Sequence, residues 1–165
     1  MYTSIASFLK DWAVESALTL AVLERLTDAS LKQAVSHAQA RTLGDLGWHL
    51  TNGTPGIAGA AGLQLDGSHG AGPTPANAAE IVEGYRRMSD ALAAGIERQW
   101  TDGKLSEGLL LFGFMETTYG GALNTIVRHQ IHHRGQMTIL MRQAGLVPPG
   151  VYGPNEEESA AMRKA

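Results

Sequence analysis

The sequence predicts an all-α protein built as a four-helix bundle, and three observations carry that prediction. Four stretches repeat apolar side chains at steps of three and four residues, the spacing that lines one face of a helix. Helix-start signals precede the second and third stretches, and a stop signal follows the last. No two runs alternate convincingly at the two-residue period of paired strands, and no internal repeat is visible. Four principal helices with two long connections fit one layer of helices packed on helices. At 165 residues, the chain is read as a single domain over residues 1–165.

The first helix is expected over about Ser4 to Leu26, where Ile5, Phe8, Leu9, Trp12, Ser16, Leu20 and Leu23 make the stripe. Thr27 to Ser30 ends it, and Asp28 to His37 reads as a connection with room for one helical turn. Thr42-Leu43-Gly44-Asp45 has the form of a capping box, opening a second helix through Leu43, Leu46, His49 and Leu50. Pro55 should kink or break that helix, since it lacks an N–H and clashes with the preceding turn. Leu65 to Pro75 carries the glycine and proline punctuation of a loop, which leaves His69, like His37, solvent-exposed. Asn77 with Glu80 starts a third helix, whose stripe of Ile81, Tyr85, Met88, Leu92 and Ile96 runs to Trp100. Thr101 to Lys104 is a turn, and Leu105 to Met115 is apolar without strict alternation: a crossing segment, a pocket wall or a dimer contact. The last long helix runs from about Thr117 to Ala144, with Gly145 as its cap and Pro148-Pro149 barring continuation. A charged tail beyond Gly153-Pro154 has the makings of a short helix.

Composition excludes several classes of function. The chain has no cysteine, so disulfides, thiolate ligands and a cysteine nucleophile are ruled out. A net charge of -3 with 18% charged residues provides no basic field for nucleic acid. No apolar run reaches the ~18–20 residues that span a bilayer, so no membrane association is expected. The start, Met1 to Ser4, has no basic n-region, and Lys10 and Asp11 interrupt the first apolar stretch. A cytoplasmic location is the expectation.

The chemistry concentrates in Arg128-His129-Gln130-Ile131-His132-His133-Arg134-Gly135-Gln136, where three of the six histidines fall within five residues. At ~100° per residue, His133 lies about 40° from His129, with Gln136 and Leu140 about 20° to either side. The stripe is inward-facing, and a polar group there costs a few kcal/mol unless partnered. Two imidazoles one turn apart want a partner, and a divalent metal ion satisfies both. His132, at about −60°, is the alternative second ligand, or else an adjoining or interface residue. Arg134 points away, toward a carboxylate at a helix–helix or subunit contact. The best candidate for a third ligand is His49, with Asp45 and Asn52 one turn to either side placed to orient its imidazole or a water. Three nitrogen ligands with open positions match catalytic rather than structural metal sites, and zinc, nickel, iron or manganese all suit them.

The run from His129 to Met137, with Leu140, Arg142, Ala144-Gly145 and Val151-Tyr152-Gly153-Pro154, resembles the signature of the DinB/YfiT-like family. Ala40 to His49, ending in Leu-Gly-Trp-His, resembles the segment that bears that family's first ligand. The resemblance implies an up-down-down-up four-helix bundle, usually a homodimer, holding a divalent metal on His49, His129 and His133. It also implies, among characterised relatives, thiol S-transferases that use a low-molecular-weight thiol such as bacillithiol or mycothiol, and a thiol-dependent isomerase. The leading expectation is therefore a metal-dependent enzyme, a thiol S-transferase or hydrolase, acting on a small-molecule substrate through a metal-activated nucleophile. The alternative is a non-catalytic metal- or small-ligand-binding bundle in a stress response. Asp45 and Glu116 are the candidate acid–base groups. Metal affinity should fall as the pH drops through ~6.5, because the ligands must be neutral.

Overall fold

Side-chain caps decide where the helices begin. Ser4 accepts a hydrogen bond from Ser7 N and opens α1 (Ile5–Leu23). Thr42 and Asp45 form the anticipated capping box ahead of α2 (Leu43–Ala60): Asp45 N donates to Thr42 Oγ1 at 3.2 Å and Thr42 N to Asp45 Oδ2 at 2.9 Å. Asn77 caps α3 (Ala78–Gln99), Thr101 the single turn α4 (Asp102–Leu105), Thr118 α5 (Tyr119–Gln143) and Asn155 α6 (Glu156–Met162). Gly145, at φ +76, closes α5: Leu146 N reaches Met141 O and Gly145 N reaches Arg142 O, the paired bonds of a Schellman end. The computed structural model describes residues 1–67 and 69–164; Ser68, within the glycine-rich loop, lies outside them.

The protein is mostly helical. α1 packs against α3 and α5, and α2 packs against the same two helices. The α3 stripe is the clearest product of its sequence: Ile81, Tyr85, Met88, Leu92 and Ile96 are all buried. They join Phe8, Trp12, Leu46, Leu50, Ile126 and Met137 in one hydrophobic cluster. Among the described residues no helix is long and apolar enough to cross a membrane.

Three expectations need correction. The structure contains two hairpins where no strand pair was expected. β1 (Ala34–Ser36) pairs antiparallel with β2 (Gln39–Thr42), and β3 (Gly108–Leu111) pairs with β4 (Met115–Thr118). Strands of three or four residues are too short to display a period of two. The second hairpin also turns through Phe112 and Gly113, both at positive φ, where the usual signal is Asn-Gly. The apolar stretch is therefore this hairpin, with Leu110, Phe112, Phe114 and Met115 exposed.

Pro55 does not break α2, which continues to Ala60. The missing N–H is tolerated because this part of the helix is held by its surroundings. Thr54, Ile57 and Ala58 are buried, the Thr54 hydroxyl donates to Leu50 O at 3.2 Å, and Gln130 Nε2 on α5 donates to the same carbonyl at 3.3 Å. Tertiary packing overrides the local penalty.

His69 is half-buried rather than exposed, its Nε2 2.7 Å from Asp66 O. Its loop lies against α2. Trp48 Nε1 donates to Gly72 O at 3.3 Å, and Thr74 Oγ1 donates to Asp45 Oδ1 at 2.6 Å. Gly70, at φ +68, sits so close that a Cβ there would fall 2.3 Å from Asn52 Cβ.

Candidate metal site

α2 supplies His49, and α5, packed beside it, supplies His129 and His133. The three rings lie edge to face with centroids 4.6–4.7 Å apart. Their ligand-capable nitrogens all fall within 4.8 Å of one another. His129 Nε2 and His49 Nε2 are 2.9 Å apart, close enough for one ring to donate to the other. A tetrahedral ion with bonds of about 2.0–2.1 Å would need these nitrogens at about 3.3 Å, a small opening of the pair.

Two observations show that the residues fit such an ion. The first is the donor set itself: three imidazole nitrogens, ligands that suit a divalent ion, gathered within 4.8 Å of one another. The second is Gly53, one turn beyond His49, where a Cβ would stand 2.8 Å from His129 Cε1 and 3.3 Å from His49 Cε1. Any side chain there would fill the space the rings occupy. Gly53 is thus part of the site's floor, and its signal in the sequence was only a glycine one turn from a histidine.

Charge and burial favour neutral imidazoles, the form a metal requires. Burial, followed by the neighbouring charges of His133, His49, His132 and Arg41, pushes His129 down to about 4. Burial and the Arg41 and His133 charges likewise lower His49, with the Asn52 amide opposing. Burial lowers His133 while its hydrogen bond to Gln136 opposes, His132 and Arg41 adding to the lowering.

The remaining sequence candidates sort clearly. Gln136 holds its place: its Oε1 lies 2.7 Å from His133 Nδ1, which fixes the ring and leaves Nε2 to face the other two histidines. His132 is exposed, its ring 4.8 Å from that of His133, and stands outside the cluster. Asn52 is half-buried between His49 and Gly70. Asp45 departs from its expected role of orienting His49. Its Oδ2 is taken by Thr42 N and Thr42 Oγ1, and its Oδ1 by Thr74. Burial opposes its ionisation, but the bonds from Thr74 and Thr42 outweigh that and hold its carboxyl below the usual range. It is a cap and a loop anchor. Glu116 lies exposed on β4.

Sequence reasoning missed Gln130. Fully buried beside His129, it accepts from Thr19 on α1 at 3.2 Å and from Tyr85 on α3 at 3.0 Å. It donates to Leu50 O and, at 2.9 Å, to Thr54 Oγ1 on α2. One amide therefore ties the four long helices together at the level of the histidines. Arg134 continues this network to Glu15 of α1, at 2.5 Å, and to Thr19 and Tyr152. A carboxylate on a neighbouring helix was the sequence expectation for Arg134. The larger surface cavity beside Trp48, about 420 Å³ and lined by Asn77, Glu80, Glu83 and Arg87, includes none of the three histidines.

Fold and site together define a class: a mostly helical protein in which two adjacent helices converge on a three-histidine cluster. The chain belongs to the DinB family, whose model matches residues 1–164. It is 39% identical over 160 residues to the uncharacterized protein YrdA of Bacillus subtilis (strain 168), covering 97% of this chain and 95% of that one. It is also similar to the crystal structure of a DinB-like protein from Bacillus cereus ATCC 10987, with a TM-score of 0.85 and 40% identity. That match covers 92% of this chain and 100% of the other.

Proposed function

We propose that His49, His129 and His133 hold a divalent metal ion, and that the protein is a metal-dependent enzyme acting on a small molecule, as a thiol S-transferase or a hydrolase. The observation that carries this reading is the convergence of three imidazoles from two helices against Gly53, with their ligand-capable nitrogens within 4.8 Å of one another. A bound ion supplies Lewis acidity, which makes a nucleophile available near neutral pH. The chain's own residues do the rest. Gln136 orients the His133 ring, burial keeps the three imidazoles unprotonated, and Gln130 fixes α5 against α2. Zinc, nickel, iron and manganese all suit three nitrogens. In this reading the long helices run up-down-down-up as one domain, the protein is a cytoplasmic homodimer, and the nucleophile is water or a low-molecular-weight thiol.

The test is turnover by metal-loaded protein, with thiols plus electrophiles in one panel and with esters and amides in another. Activity that depends on thiol identifies a transferase, activity without thiol a hydrolase, and either should vanish in His133→Ala. Stoichiometric metal with no turnover in any panel would refute the enzymatic reading and favour a binding protein.

A further inference from the structure

We propose that a second copy of this chain packs on the outer face of α1, the two helices running antiparallel with Leu18 on the twofold axis. The inference rests on the homodimer of the reading above and gives it a surface and a register.

α1 is too apolar for an outer helix. From Trp12 to Leu23 its only charged residue is Glu15, and Glu15 is committed to Arg134. Trp12, Thr19, Val22 and Leu23 are buried in the bundle. Ala13, Val14 and Ala17 are exposed, and Leu18 and Ala21 are half-buried; Val14 is 56% exposed. The contrast is α3, whose exposed side carries Glu80, Glu83, Arg87, Asp90, Glu97 and Arg98. A helix that is apolar on every side belongs in an interior. α5 continues the surface. Arg134 joins it to Glu15 and Thr19 of α1. Beside Arg134, Ile131 is 39% exposed, and a Cβ on Gly135 would meet nothing within 4 Å.

The charges at the two ends of this stripe select what covers it. With Leu18 as zero at ~100° per residue, Asp11 and Arg25 lie within about 20°, Val14 at about −40° and Ala21 at about −60°. Arg25 stands in the turn that ends α1, still coiled, its N–H bonded to Val22 O at 3.2 Å. Asp11 and Arg25 lie seven residues before and after Leu18, which is about 10.5 Å along the axis in each direction. A second α1 laid antiparallel, Leu18 on Leu18, therefore sets each Asp11 level with the Arg25 of the other copy and closes Val14 against Ala21. A parallel pair would set Asp11 on Asp11 and Arg25 on Arg25, like charge on like. Among the described residues neither has an ion pair within its own chain. Asp11 accepts one hydrogen bond, from the Tyr2 hydroxyl at 3.1 Å. A twofold interface must be complementary to itself, and this stripe is.

The test is sedimentation equilibrium of the full chain at low ionic strength, where exposed charges are least screened, with thermal melts as the check on folding. Wild type should be a dimer. Asp11→Arg and Arg25→Asp each turn both cross-pairs into like-charge contacts and should raise the dimer dissociation constant by about 10-fold or more. The two reversals in one chain restore opposite signs and should return the constant to within about threefold of wild type. Leu18→Glu sets two carboxylates at the axis and should leave monomer where wild type is dimeric. Should Leu18→Glu not fold, Val14→Glu, at a more exposed position, takes its place. A wild-type dimer that ignores the single reversals, or that the double reversal fails to restore, overturns this interface while the homodimer stands on another face. A wild type that is monomeric at every concentration refutes the homodimer, and the interface with it.

Discussion

Alanine at position 53 should separate binding from folding. A Cβ on Gly53 would stand 2.8 Å from His129 Cε1, so reaching even 3.4 Å requires the ring to retreat by about 0.6 Å. Metal–ligand distances tolerate about 0.2 Å, and His49 Cε1, at 3.3 Å, is pressed at the same time. The expected loss of metal affinity is about 10- to 100-fold, comparable to losing a residue that supports a ligand. Folding should barely notice. Replacing a mid-helix glycine with alanine favours the helix by about 1 kcal/mol, which offsets the cost of turning an imidazole tip aside. The assay is competition for zinc against a chelator, alongside denaturant unfolding of the metal-free protein. Wild-type zinc affinity in Gly53→Ala would show that the rings are not held against this glycine, and the proposed geometry would fall.

Three further outcomes follow from the same contacts. Gln130→Leu leaves Tyr85, Thr54 and Thr19 short of a buried partner and should lower stability by about 2 kcal/mol or more in denaturant unfolding. Glu15→Ala strands the Arg134 charge, which is 1% exposed, and should cost about 3–5 kcal/mol. The third concerns pH. The unfolded chain protonates His129 near its ordinary 6.5, while the folded chain holds it down to about 4. Above 6.5 the group has no effect; as the pH falls toward 4, the unfolded state binds a proton that the folded state refuses, and stability drops. After discounting for the ring's partial exposure, the loss is about 1–2 kcal/mol. The acid-side loss should be smaller in His129→Ala, where His49 and His133 alone contribute, when metal-free unfolding is followed from pH 8 to pH 4. The same lowering means that protons displace the metal at lower pH than the ~6.5 expected of free imidazoles.

Local signals proved readable wherever one residue's chemistry decides the outcome. The Thr42–Asp45 box, the Asn77 cap and the left-handed Gly145 each stand where the sequence set them. So does the buried α3 stripe, because burial on a helix repeats visibly over 22 residues. Two histidines on α5 were legible because they share a face, whereas His49, at the edge of the apolar face of α2, was singled out only by the family resemblance and the bundle geometry together. What was not legible depends on partners distant in sequence. Pro55 passes without a break because α5 and neighbouring threonines hold α2. Asp45 turned from His49 because Thr74, 29 residues later, claims its second oxygen. Gln130 looked like one more polar residue on a helix until three other helices met it. Gly53 matters through what stands opposite it, which no window of sequence displays. The hairpins were missed through brevity.

The central claim is that three histidines from two helices form one metal site. The direct measurement is the metal content of the full chain purified without a histidine tag, in wild type and in His49→Ala, by elemental analysis and equilibrium dialysis. One ion per chain in wild type, lost in His49→Ala with the fold intact, is the result predicted. No ion under any loading condition, or a full complement in His49→Ala, would contradict it.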